Sequence, residues 1–336
     1  MLFYAVRRLL GLVPLLFFVV LTVFLLLRSV PGDPVRNLLG EKGSREERMR
    51  IAHELGLDRS LPVQFGIYLR GLLRGDLGTS YIKNQRKVGE DIAERFPATV
   101  ELSFCAMLLA CLFGLTAGIL SAVLRGRWLD YLAMFLALLG VSVPVFWLGL
   151  LLVMAFGGNA PFPSGGRLDL GTFFDFEPTT GFYLVDSLLE GNWALFGDVC
   201  AHLFLPAVAL ATIPMAVISR MTRSSMLETL SQDFVRTARA KGLPERRVVL
   251  RHAFRASLIS ILTVLALQFG TLLAGAVLTE TVFSWPGLGT YIVDAVNNRD
   301  YTAVQGGILV IATIFVLANL AADLSYALVD PRLKKA

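Results

Sequence analysis

The chain has 336 residues, of which 55% are hydrophobic and only 17% are charged, with a net charge of +5 and a mean hydropathy of +0.65. Because a soluble domain of this length carries about 25% charged residues, the composition excludes an ordinary soluble protein and indicates several membrane crossings. The basic residues flank apolar segments rather than forming a separate surface, which argues against nucleic-acid binding. Three cysteines fit neither a disulfide framework nor a zinc site.

Six apolar segments are long enough to cross a bilayer, which takes about 20 residues in a helix. They cover 9–27, 102–124, 131–156, 202–219, 256–279 and 301–322. The first is too long for the core of a signal peptide and no small-residue cleavage site follows it, so we expect it to be retained. Pro144 predicts a kink in the third segment. The sequence therefore predicts an all-α, polytopic membrane protein with six transmembrane helices.

The distribution of Arg and Lys predicts the orientation of these helices, since short cytoplasmic loops are rich in both. Basic residues are frequent before the first span, in the link after the second span, over 220–255 and in the final RLKKA. On the other side, residues 158–201 hold one basic and six acidic residues, and residues 280–300 hold one basic and three acidic. We therefore expect both termini in the cytoplasm.

The interiors of spans two, three, five and six contain no Asp, Glu, Lys or Arg. Ion-coupled transporters usually keep such groups near the membrane midplane, so the pattern argues against ion-driven transport. We interpret His202, near the outer end of span four, as structural. The sequence also lacks a P-loop, an H-E-x-x-H metal motif and a G-x-S-x-G nucleophile motif. We expect no catalytic residue, no metal and no enzyme activity in this chain by itself.

The loop between spans four and five is strongly basic, with nine basic and three acidic residues over 220–255. Its sequence predicts two helices that meet at a corner. Gly242 suits a positive φ just after a helix, and Pro244 suits the first turn of the next helix. Asp233 is a candidate N-cap of the first helix.

The first helix of this loop has two faces. Helical spacing places Phe234, Ala238 and Gly242 on one stripe, with Val235 beside it, and places Arg236 and Arg239 on another face. Two interpretations stay open on spacing alone. The loop either only marks the cytoplasmic side, or it docks into a groove on a partner protein.

The run RTARAKG at 236–242 resembles the EAA loop of the membrane subunits of bacterial ATP-binding-cassette importers. In that family the pattern E-A-A-x-x-x-G forms a cytoplasmic coupling helix, which sits in a cleft of the ATPase subunit. Ala238 and Gly242 match the pattern, while Arg236 and Thr237 replace its first two letters, as is common in the peptide-importer branch. The resemblance implies that the ATPase-docking residues are Asp233, Phe234, Arg236, Ala238, Arg239 and Gly242.

The resemblance to the dipeptide-permease branch covers most of the chain. It rests on VPGDP (30–34), LGLD (55–58), GDLGTS (75–80), RFPATVEL (95–102), SRMTRSSMLE (219–228), TETVFSWPGLG (279–289) and RDYTAVQGG (299–307). The chain departs from the branch where a proline, or an asparagine in one case, is usual, at Ser60, Lys87, Ala256, Ser260 and Thr302.

The segment between spans five and six allows two interpretations. A turn is predicted at Pro286, Gly287 and Gly289. The aromatic side chains of Phe283 and Trp285 suit the membrane interface. The run TYIVDAVNN predicts a short helix that returns towards the bilayer. An aromatic belt with a tight turn would explain this pattern. The resemblance implies instead an external re-entrant element near the outer gate, formed by Glu280, Phe283, Trp285, Pro286, Gly287 and Gly289, with Glu280 close to the translocation path.

The resemblance implies the type I importer permease fold in the bacterial cytoplasmic (inner) membrane, with a large external loop after the first helix. It also implies three kinds of partner: a homologous second permease subunit, two ATP-binding-cassette ATPase subunits, and an extracytoplasmic solute-binding protein. The ATPase subunits would bind ATP and Mg, and this chain no cofactor. The expected cargo is dipeptides or short peptides, while relatives of the branch carry oligopeptides, glutathione, nickel chelates or haem.

We expect four regions along the chain. These are the N-terminus with the first helix (1–28), the external loop region (29–97), a five-helix core that includes the loop 220–255 (98–325), and a cytoplasmic tail (326–336). The external region would either form part of the surface for the solute-binding protein or cap the bundle. Two other function classes are an ion-coupled secondary transporter and a membrane scaffold without a transport role.

Overall fold

Helices form most of the part of the chain that the computed structural model describes, which is residues 2–29, 44–54, 56, 58–80, 86–157 and 162–329. In chain order they are α1 (Leu2–Ser29), α2 (Arg45–Glu54), α3 (Leu61–Leu72), α4 (Val88–Val123), α5 (Trp128–Ser142), α6 (Val145–Phe156), α7 (Leu170–Asp175), α8 (Tyr183–Leu189), α9 (Trp193–Leu230), α10 (Asp233–Ala240), α11 (Glu245–Arg247), α12 (Phe254–Gly275), α13 (Val277–Val282), α14 (Leu288–Asn297) and α15 (Tyr301–Val329). A π-helical stretch, Val248–Ala253, joins α11 to α12. The predicted all-α class is confirmed.

Within the described ranges, five helices are long and apolar enough to cross a membrane, and the bent pair α5–α6 provides a sixth crossing if it counts as one span. The predicted kink is in fact a complete break, because the two helices meet at 102°. Val143 takes an extended conformation (φ −87°, ψ 124°), as residues before proline prefer, and Pro144 begins the next helix as its N-cap.

The pair α4 and α9 forms the centre of the bundle, and small residues bring the two helices together. At intervals of four, α4 carries Ala106, Ala110, Gly114 and Gly118, all of them buried. A Cβ atom on Gly118 would lie 2.6 Å from the Ser219 carbonyl oxygen of α9. Because lipid tails are as apolar as side chains, such close backbone packing is what holds membrane helices together. Both helices exceed a single span, with 36 and 38 residues.

The first helix lies at the edge of the bundle, where it packs on α15. Phe24 is buried, whereas Val13, Phe18 and Leu26 are each more than 60% exposed. Large apolar side chains exposed on a spanning helix face lipid in a membrane protein. α1 therefore presents most of its surface to the bilayer.

The region 29–97 contains more regular structure than the sequence predicts. After α2 and α3, a two-residue ladder pairs β1 (Thr79–Ser80) with β2 (Arg86–Lys87) in antiparallel register. The second strand leads directly into α4, so the predicted loop region ends inside a helix. The segment VPGDP (30–34), Leu55 and Leu57 of LGLD, and the end of the tail (330–336) lie outside the described residues.

Candidate functional site

The loop between α9 and α12 has the predicted form of two helical stretches that meet at a corner; we call residues 233–253 the coupling segment. Gly242 follows α10 with φ +74°, as the sequence predicts. The backbone N–H groups of Gly242 and Leu243 donate to carbonyls of the last helical turn at 2.9 and 3.4 Å, which is the Schellman arrangement. Pro244 lies one position before its predicted place, as the N-cap of α11.

The buried face of α10 differs from the predicted stripe. Val235 and Ala238 are 0% and 5% exposed, while Phe234 is 45% exposed. Val235 therefore shares the buried face with Ala238, while Phe234, four residues before Ala238, lies on the accessible side of the stripe. The buried pair packs on the ends of α4 and α9 and on the π-helical stretch, in a cluster with Ala122, Met226, Val248, Val249 and Ala253. Phe234 and the open space above Gly242 remain accessible.

The charged residues of α10 lie at the surface. Asp233 is the first residue of the helix rather than its N-cap, and none of the described side chains caps this terminus. Its carboxylate pairs with Arg236 at 3.4 Å and still suits the positive end of the helix dipole. Arg239 donates two hydrogen bonds to Glu245 across the corner, at 2.6 and 3.1 Å.

A charged cluster fixes the helix ends beside the coupling segment. Arg223 of α9 binds the Asp130 carboxylate of α5 through two hydrogen bonds of 2.7 and 2.9 Å. The same carboxylate accepts from the Ser121 hydroxyl of α4 and from the Gly126 backbone N–H at 3.0 Å. Asp130 is 2% exposed, so four donors satisfy a buried carboxylate. The ends of α4, α5 and α9 are therefore tied into one unit.

The segment between α12 and α15, residues 277–298, which we call the gate segment, contains the predicted short helix as α14. Phe283 and Trp285 are 1% and 0% exposed, so of the two interpretations left open, the aromatic belt is wrong. The Trp285 Nε1–H donates to the Ala98 carbonyl oxygen at 2.9 Å, which gives the indole a polar partner inside the protein. Pro286 is exposed at the turn.

The side chain of Glu280 holds the gate segment from inside. It is fully buried, and its Oε2 accepts from the backbone N–H groups of Gly289 and Thr290 at 2.7 and 3.1 Å. Its Oε1 accepts from the Thr99 hydroxyl at 2.6 Å, and that hydroxyl accepts from the Leu288 N–H at 2.8 Å. The first three N–H groups of α14 are thus satisfied by side chains distant in sequence. Burial raises the pKa of the Glu280 carboxyl, while the donors from Thr99, Thr290 and Gly289 act in the lowering direction.

The two glycines of the gate segment are required by close packing. A Cβ atom on Gly287 would lie 2.2 Å from Glu280 Oε1, and one on Gly289 would lie 2.5 Å from the Val277 Cα. The sequence predicts these glycines for a turn. The structure shows that they also leave room for the Glu280 carboxylate and for the backbone of α13.

A buried ion pair beside the gate segment escaped the sequence analysis. Arg167 Nη2 lies 2.6 Å from Glu101 Oε2, and the two side chains are 5% and 3% exposed. The guanidinium stacks over Tyr183 at 3.4 Å and lies 5.7 Å from the Trp285 ring. One signal was available in the sequence, because Arg167 is the single basic residue of 158–201. Nothing in the sequence named its partner.

His202 is buried and makes its contacts within its own helix. His202 is 4% exposed, and its Nδ1 lies 2.9 Å from the Asp198 carbonyl oxygen and 3.0 Å from the Asp198 carboxylate. A histidine so engaged within its own helix is structural, as the sequence predicts. In the ranges that the structure covers, no group of three or more His, Cys, Asp or Glu residues could hold a metal ion.

The gate segment and the coupling segment are attached to the same helix. Thr99 and Glu101, near the start of α4, contact the gate segment and the buried ion pair. Ser121 and Ala122, near its end, contact the Asp130 cluster and the coupling segment. At 1.5 Å per residue, the two attachment points lie about 33 Å apart along one continuous helix.

Known proteins similar to this chain are transport components. The family model for the inner membrane component of binding-protein-dependent transport systems matches residues 114–335, and a model for the N-terminal part of such components matches residues 1–103. The chain is 49% identical to the di/tripeptide transport system permease protein DppB of Pseudomonas aeruginosa and 47% identical to the dipeptide transport system permease protein DppB of Escherichia coli. It is 41% identical to the glutathione transport system permease protein GsiC of Salmonella paratyphi A. Each alignment covers 99% of both sequences.

Proposed function

The chain belongs to the family of inner membrane components of binding-protein-dependent transport systems, and from this premise we propose that it imports dipeptides or short peptides. As a member of this family it is a multi-pass permease subunit of an ATP-binding-cassette importer, and not an enzyme. The observation that carries the cargo proposal is identity of 47–49%, over nearly the full length, to permeases named for dipeptides and tripeptides. The relative named for glutathione is less similar, at 41%.

The importer would contain three kinds of component around this chain. A homologous second permease subunit completes the pathway, two ATPase subunits bind ATP and Mg on the cytoplasmic side, and a solute-binding protein delivers the peptide from outside. The charge distribution supports this orientation, since the coupling segment lies in the most basic loop. In the same orientation both termini are cytoplasmic, and the region 29–97 and the gate segment are external.

The coupling segment is proposed to dock into the ATPase through the exposed side of α10. Phe234, Arg236 and the open corner at Gly242 form that side, whereas Val235 and Ala238 hold the helix to this chain. An exposed aromatic beside arginine is the kind of anchor that protein interfaces favour. Asp233 and Arg239 complete the contact surface, with their own ion pairs holding α10 and its corner in shape.

The proposed mechanism is a rigid-body movement carried by α4 and α9. ATP binding closes the ATPase subunits and displaces α10, which is packed against the ends of both helices. The Asp130 cluster would pass the displacement on, because its buried carboxylate is held by four donors from α4, α9 and the turn between α4 and α5. At its other end, α4 holds the gate segment through Thr99 and Glu280, so the gate moves with the helix. ATP hydrolysis then restores the inward-facing arrangement.

Peptide uptake into liposomes that contain the full complex and its binding protein tests this proposal. Labelled dipeptides, a tripeptide, a pentapeptide and glutathione are offered with and without ATP. We expect ATP-dependent entry of dipeptides, with weaker entry of the tripeptide and none of the pentapeptide. Entry that survives without ATP but collapses with the proton gradient would show a secondary transporter instead. If no peptide enters while the binding protein stimulates ATP hydrolysis, the importer assignment stands and the cargo is wrong.

A further inference from the structure

A polar cavity of 490 Å³ lies between α1, α3 and α15, away from both the coupling segment and the gate segment. Its lining includes Arg28, Arg59, Gln64, Tyr68, Asp76 and Gln305. A cavity of this size admits a group much larger than a water molecule. Neither the docking surface nor the gate uses any of these side chains.

The cavity contains a cation whose charge is not balanced within the described part of the chain. Arg28 donates its Nε–H to Gln64 Oε1 at 2.8 Å and stacks over the Phe24 ring at 3.6 Å, and both of these partners are neutral. Among the residues with a described position, no carboxylate lies within ion-pair distance of Arg28. The Asp76 carboxylate accepts instead from the Gly78 backbone N–H at 2.8 Å. A half-buried arginine in this setting favours an anion as its missing partner.

A second polar group points to a ligand in the same cavity. Gln305 is 5% exposed, and its Nε2 has no hydrogen-bond partner among the residues that the structure describes. A buried amide donor without a partner destabilises the protein unless a ligand accepts its hydrogen bond. Arg28 and Gln305 come from different helices, α1 and α15, and both line the cavity. The positive charge of Arg28, which has no described carboxylate partner, and the unpaired amide donor of Gln305 therefore converge on one space.

The two helices beside the cavity, α1 and α3, expose apolar side chains next to it. Leu25 and Leu26, which precede Arg28 on α1, are 45% and 61% exposed. On α3, Val63 and Ile67 are 47% and 50% exposed, while Phe65 packs on Phe24 of α1 at 5.1 Å between ring centroids. A short helix that lies along a spanning helix and exposes apolar side chains is typical of the membrane interface. The cavity thus opens where acyl chains end and headgroups begin.

We propose that this cavity binds the phosphate of a phospholipid headgroup, with Arg28 and Gln305 as the two donors to its oxygens. The exposed apolar residues of α1 and α3 would lie along the acyl chains of the same lipid. Arg59, exposed at the rim, adds a second positive charge for the phosphate. In the orientation proposed above, this is the outer leaflet. The proposal uses the family function only to name that leaflet, and lipid binding is measured without peptide transport.

The test measures lipid binding to the purified importer complex in detergent by native mass spectrometry. The ligands are dihexanoyl phosphatidylglycerol, dihexanoylglycerol, which lacks the phosphate, and inorganic phosphate. We expect the phospholipid to bind most tightly. Arg28→Gln should weaken its binding about tenfold, as loss of one charged hydrogen bond does, and Gln305→Leu a few fold. Arg28→Lys keeps the positive charge and should retain most of the lipid binding. Weak binding by Arg28→Gln would then result from the lost charge and not from misfolding.

Arg70→Gln is the matched control, because Arg70 is exposed on α3 and does not line the cavity. Equal losses of lipid binding in Arg28→Gln and Arg70→Gln would overturn the assignment of the binding site to this cavity. Equal binding of dihexanoylglycerol and the phospholipid would overturn the role of the phosphate. If inorganic phosphate binds as tightly as the phospholipid, the cavity holds a free anion and the lipid assignment is wrong. If Arg28→Gln weakens binding of the solute-binding protein but not binding of the lipid, the group that occupies the cavity is an acidic protein side chain.

Discussion

The two ends of the bundle carry ion pairs of the same length in opposite surroundings. Arg167 and Glu101, beside the gate segment, are 2.6 Å apart with 5% and 3% of their side chains exposed. Arg239 and Glu245, at the corner of the coupling segment, are also 2.6 Å apart but are 44% and 54% exposed. Solvent screens the second pair, while loss of one partner from the first leaves a buried charge. The distance between the charged atoms alone therefore says little about what each ion pair contributes to stability.

The same contrast extends to the helices of each region. In the gate segment, the N-terminus of α14 is satisfied by Glu280 and Thr99, and the aromatic side chains are buried. In the coupling segment, α10 starts without a cap from any side chain whose position is described, and Phe234 is exposed. The gate segment is completed by this chain, whereas the coupling segment leaves a surface for another protein. Four substitutions test that difference.

The largest effect is expected from the buried ion pair. Glu101→Ala should destabilise the protein by about 3–5 kcal/mol, because Arg167 is left charged and unpaired in the interior. Glu245→Ala, which removes the exposed pair, should cost about 0.2–1 kcal/mol. The measurement is the thermal unfolding midpoint of the purified complex in detergent. Similar midpoints for the two variants would contradict the contrast.

Gly289→Ala tests the packing of the gate segment itself. The added methyl would lie 2.5 Å from the Val277 Cα and 2.8 Å from Glu280 Oε2, so the segment must shift, at a cost of about 2 kcal/mol. Gly197→Ala in α9 is the control, because nothing lies within 4 Å of that position and alanine favours the helix. Equal stability of the two variants would show that the gate segment is loosely packed.

Gly242→Asp tests the corner of the coupling segment. Its φ of +74° disfavours a residue with a side chain by about 1 kcal/mol, yet the space around it is open, so the fold should persist. We expect uptake per ATP hydrolysed to fall about tenfold, since the new charge lies on the proposed docking surface. Gly242→Asn, which has a similar shape, tolerates this conformation and lacks the charge, should retain more uptake. Normal uptake by the Asp variant would refute the assignment of the coupling helix.

Phe234→Ala should have the smallest effect on stability, below about 0.5 kcal/mol, because the side chain is 45% exposed and lies outside the buried cluster of α10. Its effect should appear in assembly, as weaker binding of the ATPase subunits by about tenfold or more. Phe174→Ala is the matched control, since Phe174 is 81% exposed in α7, far along the chain from α10. If both variants bind the ATPase subunits as the unchanged protein does, Phe234 is not an anchor.

The elements that the sequence predicts well are those whose cause is local. The spans follow from runs of apolar residues, and the positive φ of Gly242 follows from a glycine between a helical pattern and a proline. The short helix α14 follows from its own residues. In each case the neighbouring residues are enough to decide the conformation.

The predictions that failed depend on contacts between distant residues. Phe283 and Trp285 next to a turn suit a membrane interface as well as a core, and only the approach of Ala98 decides between them. Glu101 and Arg167 are 66 residues apart, with no local pattern that pairs them. On α10 the spacing alone left open whether Phe234 or Val235 packs beside Ala238 against the chain, and contacts with the ends of α4 and α9 decide for Val235.

The break between α5 and α6 also has a consequence for how the protein is made. The residues around Pro144 interrupt the helix locally, whereas α6, which leaves α5 at 102°, packs on parts of the chain that come later. A Cβ atom on Gly149 of α6 would lie 3.1 Å from the Phe283 ring, and α6 packs on α9 as well. Phe283 and α9 come later in the chain than α6, so they leave the ribosome after it does. The third apolar segment therefore enters the bilayer before the surfaces that bend it exist, and its final shape is acquired late in synthesis.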